Sequence, residues 1–264
     1  MADLSFIIVG ESVLPDADQV VASAREMGIS LSSGELSTLH ENDSDGPDVL
    51  SFEGENGDSL LVALMPAPHP DVEKMPRGPL SPDDYENLID APAHLIVTRV
   101  GVGEDADVDD RDIQMSALTA AVASACPALG VLKMPGVLFH RPGLFIDAAK
   151  AGIENEMIPV LVCIDITVAM ESDQQISILS HNMQRYGREE LYIKAPSGGK
   201  GAIGFAMDII HWLVVDREYE LPTGDTIGRN EDEKINIERT AHPFGEGPEV
   251  ILLNLPETLE DGSE

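Results

Sequence analysis

Asp48-Val49-Leu50-Ser51-Phe52-Glu53, then Gly54-Glu55-Asn56-Gly57, then Ser59-Leu60-Leu61-Val62-Ala63-Leu64: two apolar runs of strand length flank a polar, glycine-bearing turn. That pattern predicts a β-hairpin over Asp48–Glu53 and Ser59–Leu64. A hairpin pairs its strands antiparallel without a crossover helix, so helices elsewhere must pack on a sheet that is mostly antiparallel. Upstream, Phe6-Ile7-Ile8-Val9-Gly10 reads as a buried strand. Asp16 to Met27 reads as a helix with Val20, Val21, Ala24 and Met27 on one face and Gly28 as its stop.

Downstream, Met65 to Pro82 is proline-rich and reads as a loop, because proline supplies no backbone donor and resists helical geometry. A strand over His94–Val100, a helix from about Asp112 to Cys126, a short strand over Gly136–His140 and a proline-started helix over Pro142–Ala151 follow. Pro159 to Val168 reads as a buried strand, Ile176 to Tyr186 as an amphipathic connection, and Leu191 to Ala195 as a strand. The helix over Gly201–Val215 carries Ile203, Phe205, Met207, Ile209, Ile210, Trp212, Leu213 and Val214 on nearly every face, which predicts cover on several sides and a buried Trp212. A turn at Asp225–Gly228, a strand at Ile235–Arg239 and a closing strand at Val250–Leu255 complete the pattern. Strands outnumber helices and do not alternate with them. The expected fold is therefore α+β, a mostly antiparallel or mixed sheet with packed helices, in one domain over residues 1–255 with an acidic frayed tail at 256–264.

The 264 residues carry 48 acidic and 16 basic side chains, a net charge of −32. Such a surface repels nucleic-acid phosphates and anionic headgroups and attracts basic partners, so neither nucleic acid nor membrane is expected as a partner. The same charge also serves solubility alone. Cys126 lies in an Ala-rich helical stretch and Cys163 in an apolar run, and both read as small core residues without a disulfide framework. The start Met1-Ala2-Asp3-Leu4 lacks the basic and apolar regions of a signal peptide, and no apolar run approaches the roughly 18 residues of a span, which points to the cytoplasm.

Several segments approach a chemical motif and fail it. Asp105-x-Asp107-x-Asp109 has calcium-loop spacing, but Asp110 stands where the loop needs glycine and Ser116 where it needs glutamate; Glu41-x-Asp43-x-Asp45-Gly46 has Phe52 at its twelfth position. No metal and no cofactor is predicted. Pro196-Ser197-Gly198-Gly199-Lys200-Gly201 sits between strand and helix, yet lacks the Ser or Thr after lysine of a phosphate loop, and Ser197 reads as a helix N-cap. Ser12 follows a strand without the second glycine of a nucleophile elbow. Asp208 and His211 share a helical face at i, i+3, a pair that reads as structural or solvated unless a nucleophile joins it. His69, His94, His140 and His181 show no zinc-ligand spacing.

Met65-Pro66-Ala67-Pro68, Ala93-His94-Leu95-Ile96-Val97-Thr98, Ala128-Leu129-Gly130-Val131, Tyr186-Gly187-Arg188-Glu189-Glu190-Leu191 and Gly224-Asp225-Thr226-Ile227-Gly228 together resemble the bacterial family catalogued as domain of unknown function 4261. The resemblance is strongest over about 181–255, the part like that family's C-terminal domain, and thins back to about Ser59. His69 and His140-Arg141 depart from the usual pattern. The resemblance implies a soluble bacterial protein without an established activity, and it carries no functional residue over.

Two functions are expected from these readings. The first is an acidic binding protein, an immunity or inhibitor protein that masks a basic toxin or nuclease, with Asp43, Asp45, Asp48, Glu104, Asp105, Asp107, Asp109 and Asp110 as its partner-binding carboxylates. The alternative is an enzyme with a pocket near the Met65–Pro70 loop, drawing on His69 and His140 or on Asp208 and His211.

Overall fold

A computed structural model describes residues 3–38, 47–54, 57–103, 106–197, 201–245 and 247–256. Where the sequence reading draws one domain, the chain divides into two compact units, Met1–Cys163 and Ile164–Glu264. Both carry mostly antiparallel sheet with helices, so the α+β class holds.

The first unit runs β1 (Asp3–Val9), α1 (Ala17–Glu26), β2 (Glu35–Thr38), β3 (Asp48–Glu53), β4 (Ser59–Met65), α2 (Pro82–Ile89), β5 (Ala93–Val100), α3 (Val108–Ser124), β6 (Ala128–Lys133), α4 (Pro142–Glu154) and the short α5 (Val160–Cys163). Its strands form one antiparallel sheet in the order β2-β3-β4-β5-β1-β6. The expected hairpin is β3–β4, with Phe52 opposite Leu60. β1 is interior to the sheet and its Ile7, Ile8 and Val9 are fully buried, because both faces of the sheet are covered.

On one face Ile8 and Leu132 meet Leu88 of α2, Val72, Leu80 and Phe139 in an apolar cluster. Gly130 of β6 sits opposite Ile8, and a Cβ there would come within 2.7 Å of the Leu88 side chain, so this glycine lets α2 close on the sheet. On the other face lies α3, whose Asp112, Ser116 and Thr119 form a buried polar stripe at i, i+4 and i+7. The sheet answers that stripe. Lys133 Nζ of β6 donates to Asp112 Oδ1 at 2.5 Å, the two side chains being 4% and 1% exposed. Thr119 Oγ1 donates to Ser5 Oγ at 3.0 Å, and Arg111 places its Nε and Nη2 on the two oxygens of Asp3, each at 3.2 Å.

The structure moves several expected boundaries. α3 begins at Val108 rather than about Asp112, because the Asp107 carboxylate caps it by accepting from the Asp109 N–H at 2.8 Å. The proline-rich loop is followed by a helix that the sequence reading lacks: Ser81 accepts from the Asp84 N–H, and with Pro82 in the first turn it starts α2. Gly136–His140 is no strand beyond one bridge from His140 to Val131; the chain turns at Lys133–Gly136, and the strand is β6 before it. Pro159–Val168 is not one strand either: it is extended only from Asp165 onward. The amides of Val162 and Cys163 return to the Pro159 carbonyl at 3.0 and 3.2 Å, closing the helical turn α5.

The second unit runs β7 (Asp165–Ser172), β8 (Gln175–His181), β9 (Leu191–Pro196), α6 (Ala202–Val215), β10 (Thr226–Ile227), β11 (Ile235–Thr240) and β12 (Val250–Asn254), in the sheet order β10-β11-β12-β9-β8-β7. β9 and β12 pair in parallel and the other neighbours antiparallel. The expected connection over Ile176–Tyr186 is β8 plus a 3-10 turn at Met183–Tyr186. α6 is covered on one side rather than several: Phe205, Ala206, Ile209, Ile210, Leu213 and Val214 are buried, while Ile203 and Val215 are exposed. Trp212 is half-buried, its ring 3.7 Å from that of Tyr219, which corrects the expectation of a buried indole. Ser197 does not cap α6, because its hydroxyl donates to the Asp173 carbonyl at 2.8 Å and the helix starts after Gly201 at φ 89°.

Two stability outcomes follow from these placements. Lys133→Met removes the cation that faces the buried Asp112 carboxylate and lowers the unfolding free energy by about 3–5 kcal/mol, read from urea denaturation, whereas pairing it with Asp112→Leu recovers most of that loss. In α6, Ile210→Ala costs about 2–5 kcal/mol and Trp212→Ala costs less, since the indole already meets water.

Candidate functional site

The β3–β4 turn and the end of β5 lie at the same edge of the first unit, because Ser59 pairs with both Glu53 and Val100. In that turn Gly54 lies under the Asp58 carboxylate, where a Cβ would approach Asp58 Oδ1 to 2.5 Å. The carboxylate so placed accepts from Arg99 Nε at 2.5 Å; the Asp58 side chain is 11% exposed and that of Arg99 7%. Arg99 stands opposite Asp3 in the β1–β5 register, and Asp3 holds Arg111 of α3. Two arginines and two aspartates thereby lock the start of α3 onto this end of the sheet.

This lock leaves open space on both sides. A recess of about 260 Å³ is lined by Asp58, Arg99, Asp107, Asp110, Arg111 and Gln114. A second, of about 170 Å³, shares Asp58, Arg99 and Gln114 and adds Ser30, Leu31, Leu118 and Ile153. A third, of about 350 Å³, adjoins through Gly28 and Ile153 and is bordered by Glu26, Lys150 and Glu154 at the end of α1 and on α4. No histidine or cysteine is among the residues lining the three. Charged groups and one primary amide, set in partly apolar walls, suit the groove to hold a polar ligand.

The carboxylates expected to bind a partner fall in different places. Asp43, Asp45, Glu104 and Asp105 lie outside the described residues. Asp48 opens β3 opposite Thr38, at the far end of that strand from the Gly54–Asp58 turn and roughly 17 Å from it. Asp107 and Asp110 are exposed beside the 260 Å³ recess, and Asp109 is half-buried. The fold thus gathers Asp107 and Asp110 with Asp58 and sets Asp48 apart. Arg99, Asp58 and Gln114 were not anticipated from sequence. The available signal was a charged residue at the end of the apolar strand His94–Val100, and its partner lies 41 positions earlier.

The candidate pocket residues do not line that groove. His69 is buried, its ring centroid 4.6 Å from Phe6, 5.1 Å from His94 and 5.8 Å from Phe139. Its Nδ1 accepts from the Asp71 N–H at 3.3 Å, and His94 Nδ1 donates to the Ala67 carbonyl at 2.9 Å. His140, next to Phe139, is buried with its ring 6.4 Å from that of Phe145 in α4. Asp208 and His211 belong to the second unit and are exposed on α6. The thiol of Cys126 is pushed up to about 12 by burial, which leaves it protonated and unreactive near neutrality.

Burial, and then the neighbouring His94, hold the His69 imidazole below its ordinary range despite the opposing pull of Asp71. The unfolded chain therefore takes up this proton first as pH falls through about 6.5, and the stability that neutral His69 contributes above that pH is lost below it. Between about pH 7 and pH 5 the unfolding free energy of His69→Gln should fall less than that of the parent, measured by urea titration at each pH. Parallel slopes would show that His69 does not carry this dependence.

Among the described residues no helix is long and apolar enough to cross a membrane, and no three or more His, Cys, Asp or Glu side chains form a group able to hold a metal. Comparison with protein-family models, curated proteins and solved structures yielded no match to this chain.

Proposed function

We propose that this chain is a cytoplasmic, non-enzymatic binding protein that docks a basic protein, such as a toxin or nuclease whose positive active-site surface it masks. The observation that carries the reading is the charge of −32, with exposed Asp107 and Asp110 at one edge of the first unit. A field of that sign raises the encounter rate with a basic partner and turns away acidic ones. Asp107 also caps α3 and Asp110 in its first turn suits the positive end of the helix dipole, yet both side chains remain exposed to a partner. The segment resemblance to the domain of unknown function 4261 family enters as a proposal of kinship and adds no residue role.

The expected outcome is a stoichiometric basic partner retained from the native host's soluble proteins at about 0.15 M salt. Its association should slow steeply as salt rises while dissociation changes less, because exposed charges are screened over about 8 Å at that ionic strength. Asp107→Asn with Asp110→Asn should slow association several-fold at an unchanged melting temperature, since asparagine still caps α3. Retaining no partner, or one whose association rate ignores salt, defeats the reading.

A further inference from the structure

The ion pair of Arg99 engages one corner of its guanidinium and leaves the rest facing open space. Its guanidinium carries five N–H donors, and only Nε is engaged, by Asp58. Among the described residues neither Nη atom has a hydrogen-bond partner, although the side chain is 93% withdrawn from water. These donors border the two recesses that flank the ion pair and are open to them. The Gln114 amide borders both recesses as well and makes no hydrogen bond among the described residues.

The two Nη atoms form the end of the guanidinium fork, a match for the two oxygens of a carboxylate. A simple anion is nevertheless a poor occupant. The 260 Å³ recess sets two arginines against three aspartates, Asp58, Asp107 and Asp110, within a chain of net charge −32. A bare carboxylate or phosphate would meet repulsion there that a ligand with its own positive group does not. The exposed Asp107 and Asp110 stand where such a group would lie.

We infer that the recess at Arg99 binds a small free zwitterion of the amino-acid kind, its carboxylate on the Nη atoms of Arg99 beside the Gln114 amide and its cationic group toward Asp107 and Asp110. A recess of this volume lies just below the roughly 300–1,000 Å³ of ordinary small-molecule sites, and the adjoining recess extends it past the same arginine. This site does not depend on the basic protein partner, which needs only the exposed carboxylates.

The test is a titration of the isotope-labelled full chain with L-arginine, L-argininamide and acetate, followed by the backbone amide resonances of Gly101, Ala106 and Gln114. L-Arginine should shift these signals saturably, with at least tenfold tighter binding than argininamide, which lacks the carboxylate, or acetate, which lacks the cation. Arg99→Lys keeps a charge for Asp58 but loses the fork, and should weaken L-arginine binding at least tenfold. Should that variant fail to fold, Gln114→Ala and Asp110→Asn, both at less buried positions, should each weaken it several-fold. Equal binding of argininamide would show an acidic surface attracting a cation, and equal binding of acetate would show a simple anion site; either overturns the inference, as does the absence of saturable binding. Salt-dependent capture of a basic protein without any response to L-arginine would sink this inference while leaving the partner reading standing.

Discussion

The buried pair of Lys133 and Asp112, 2.5 Å apart, fixes how α3 lies on the sheet of the first unit. Neither ion can leave for water without opening the interface between α3 and β6, and the loss of either leaves the burial of the other less compensated. The remaining polar groups of the seam follow from it. With Asp112 seated over Lys133, Thr119 reaches Ser5 two turns further on, and Arg111, the residue before Asp112, reaches Asp3. Apolar packing supplies most of the burial around this helix, but apolar contacts alone would accept a rotated or shifted α3 more readily than hydrogen-bonded ones.

The seam also sets the geometry of the groove. Arg111 and Arg99 meet at this end of the sheet because β1 and β5 bring Asp3 opposite Arg99 while α3 delivers Arg111 to Asp3. The glycine at 54 does the equivalent work from the other side, letting the Asp58 carboxylate settle where Arg99 needs it. In a chain with 16 basic residues among 264, arginines are concentrated at such joints: Arg188 holds the carbonyls of Leu213 and Asp216, and Arg239 holds Glu189 and the Leu221 carbonyl. At these joints the cations hold internal geometry, while others such as Lys74 and Arg141 lie on the surface.

The sheet face toward α2 shows the opposite chemistry. There His69 and His94 lie among Phe6 and Phe139, and their imidazoles serve backbone groups of the Met65–Lys74 stretch through Ala67 and Asp71. Burial favours the neutral ring of His69, so the contacts that it makes also tie the stability of this loop to pH. Proximity of two histidines is not a site by itself, and here the Nδ1 of each is engaged in holding the chain.

By itself the sequence determined the α+β class, the β3–β4 hairpin, the strands β1 and β5, the helices α1 and α4 to within a few residues, and a strongly acidic surface. These follow from local pattern: alternating or continuous apolar runs, glycine turns, proline at helix starts and the count of charges. It did not determine that Pro159 opens a helical turn, that α6 is covered on one side, or that Asp48 stands apart from Asp107 and Asp110, because a residue's neighbours across a sheet or helix interface leave no mark in its own segment. The groove depended on the tertiary structure most of all. Asp58, Arg99, Arg111 and Gln114 come from a turn, a strand end and a helix, and only the antiparallel register and the buried Lys133–Asp112 pair bring those three to one edge.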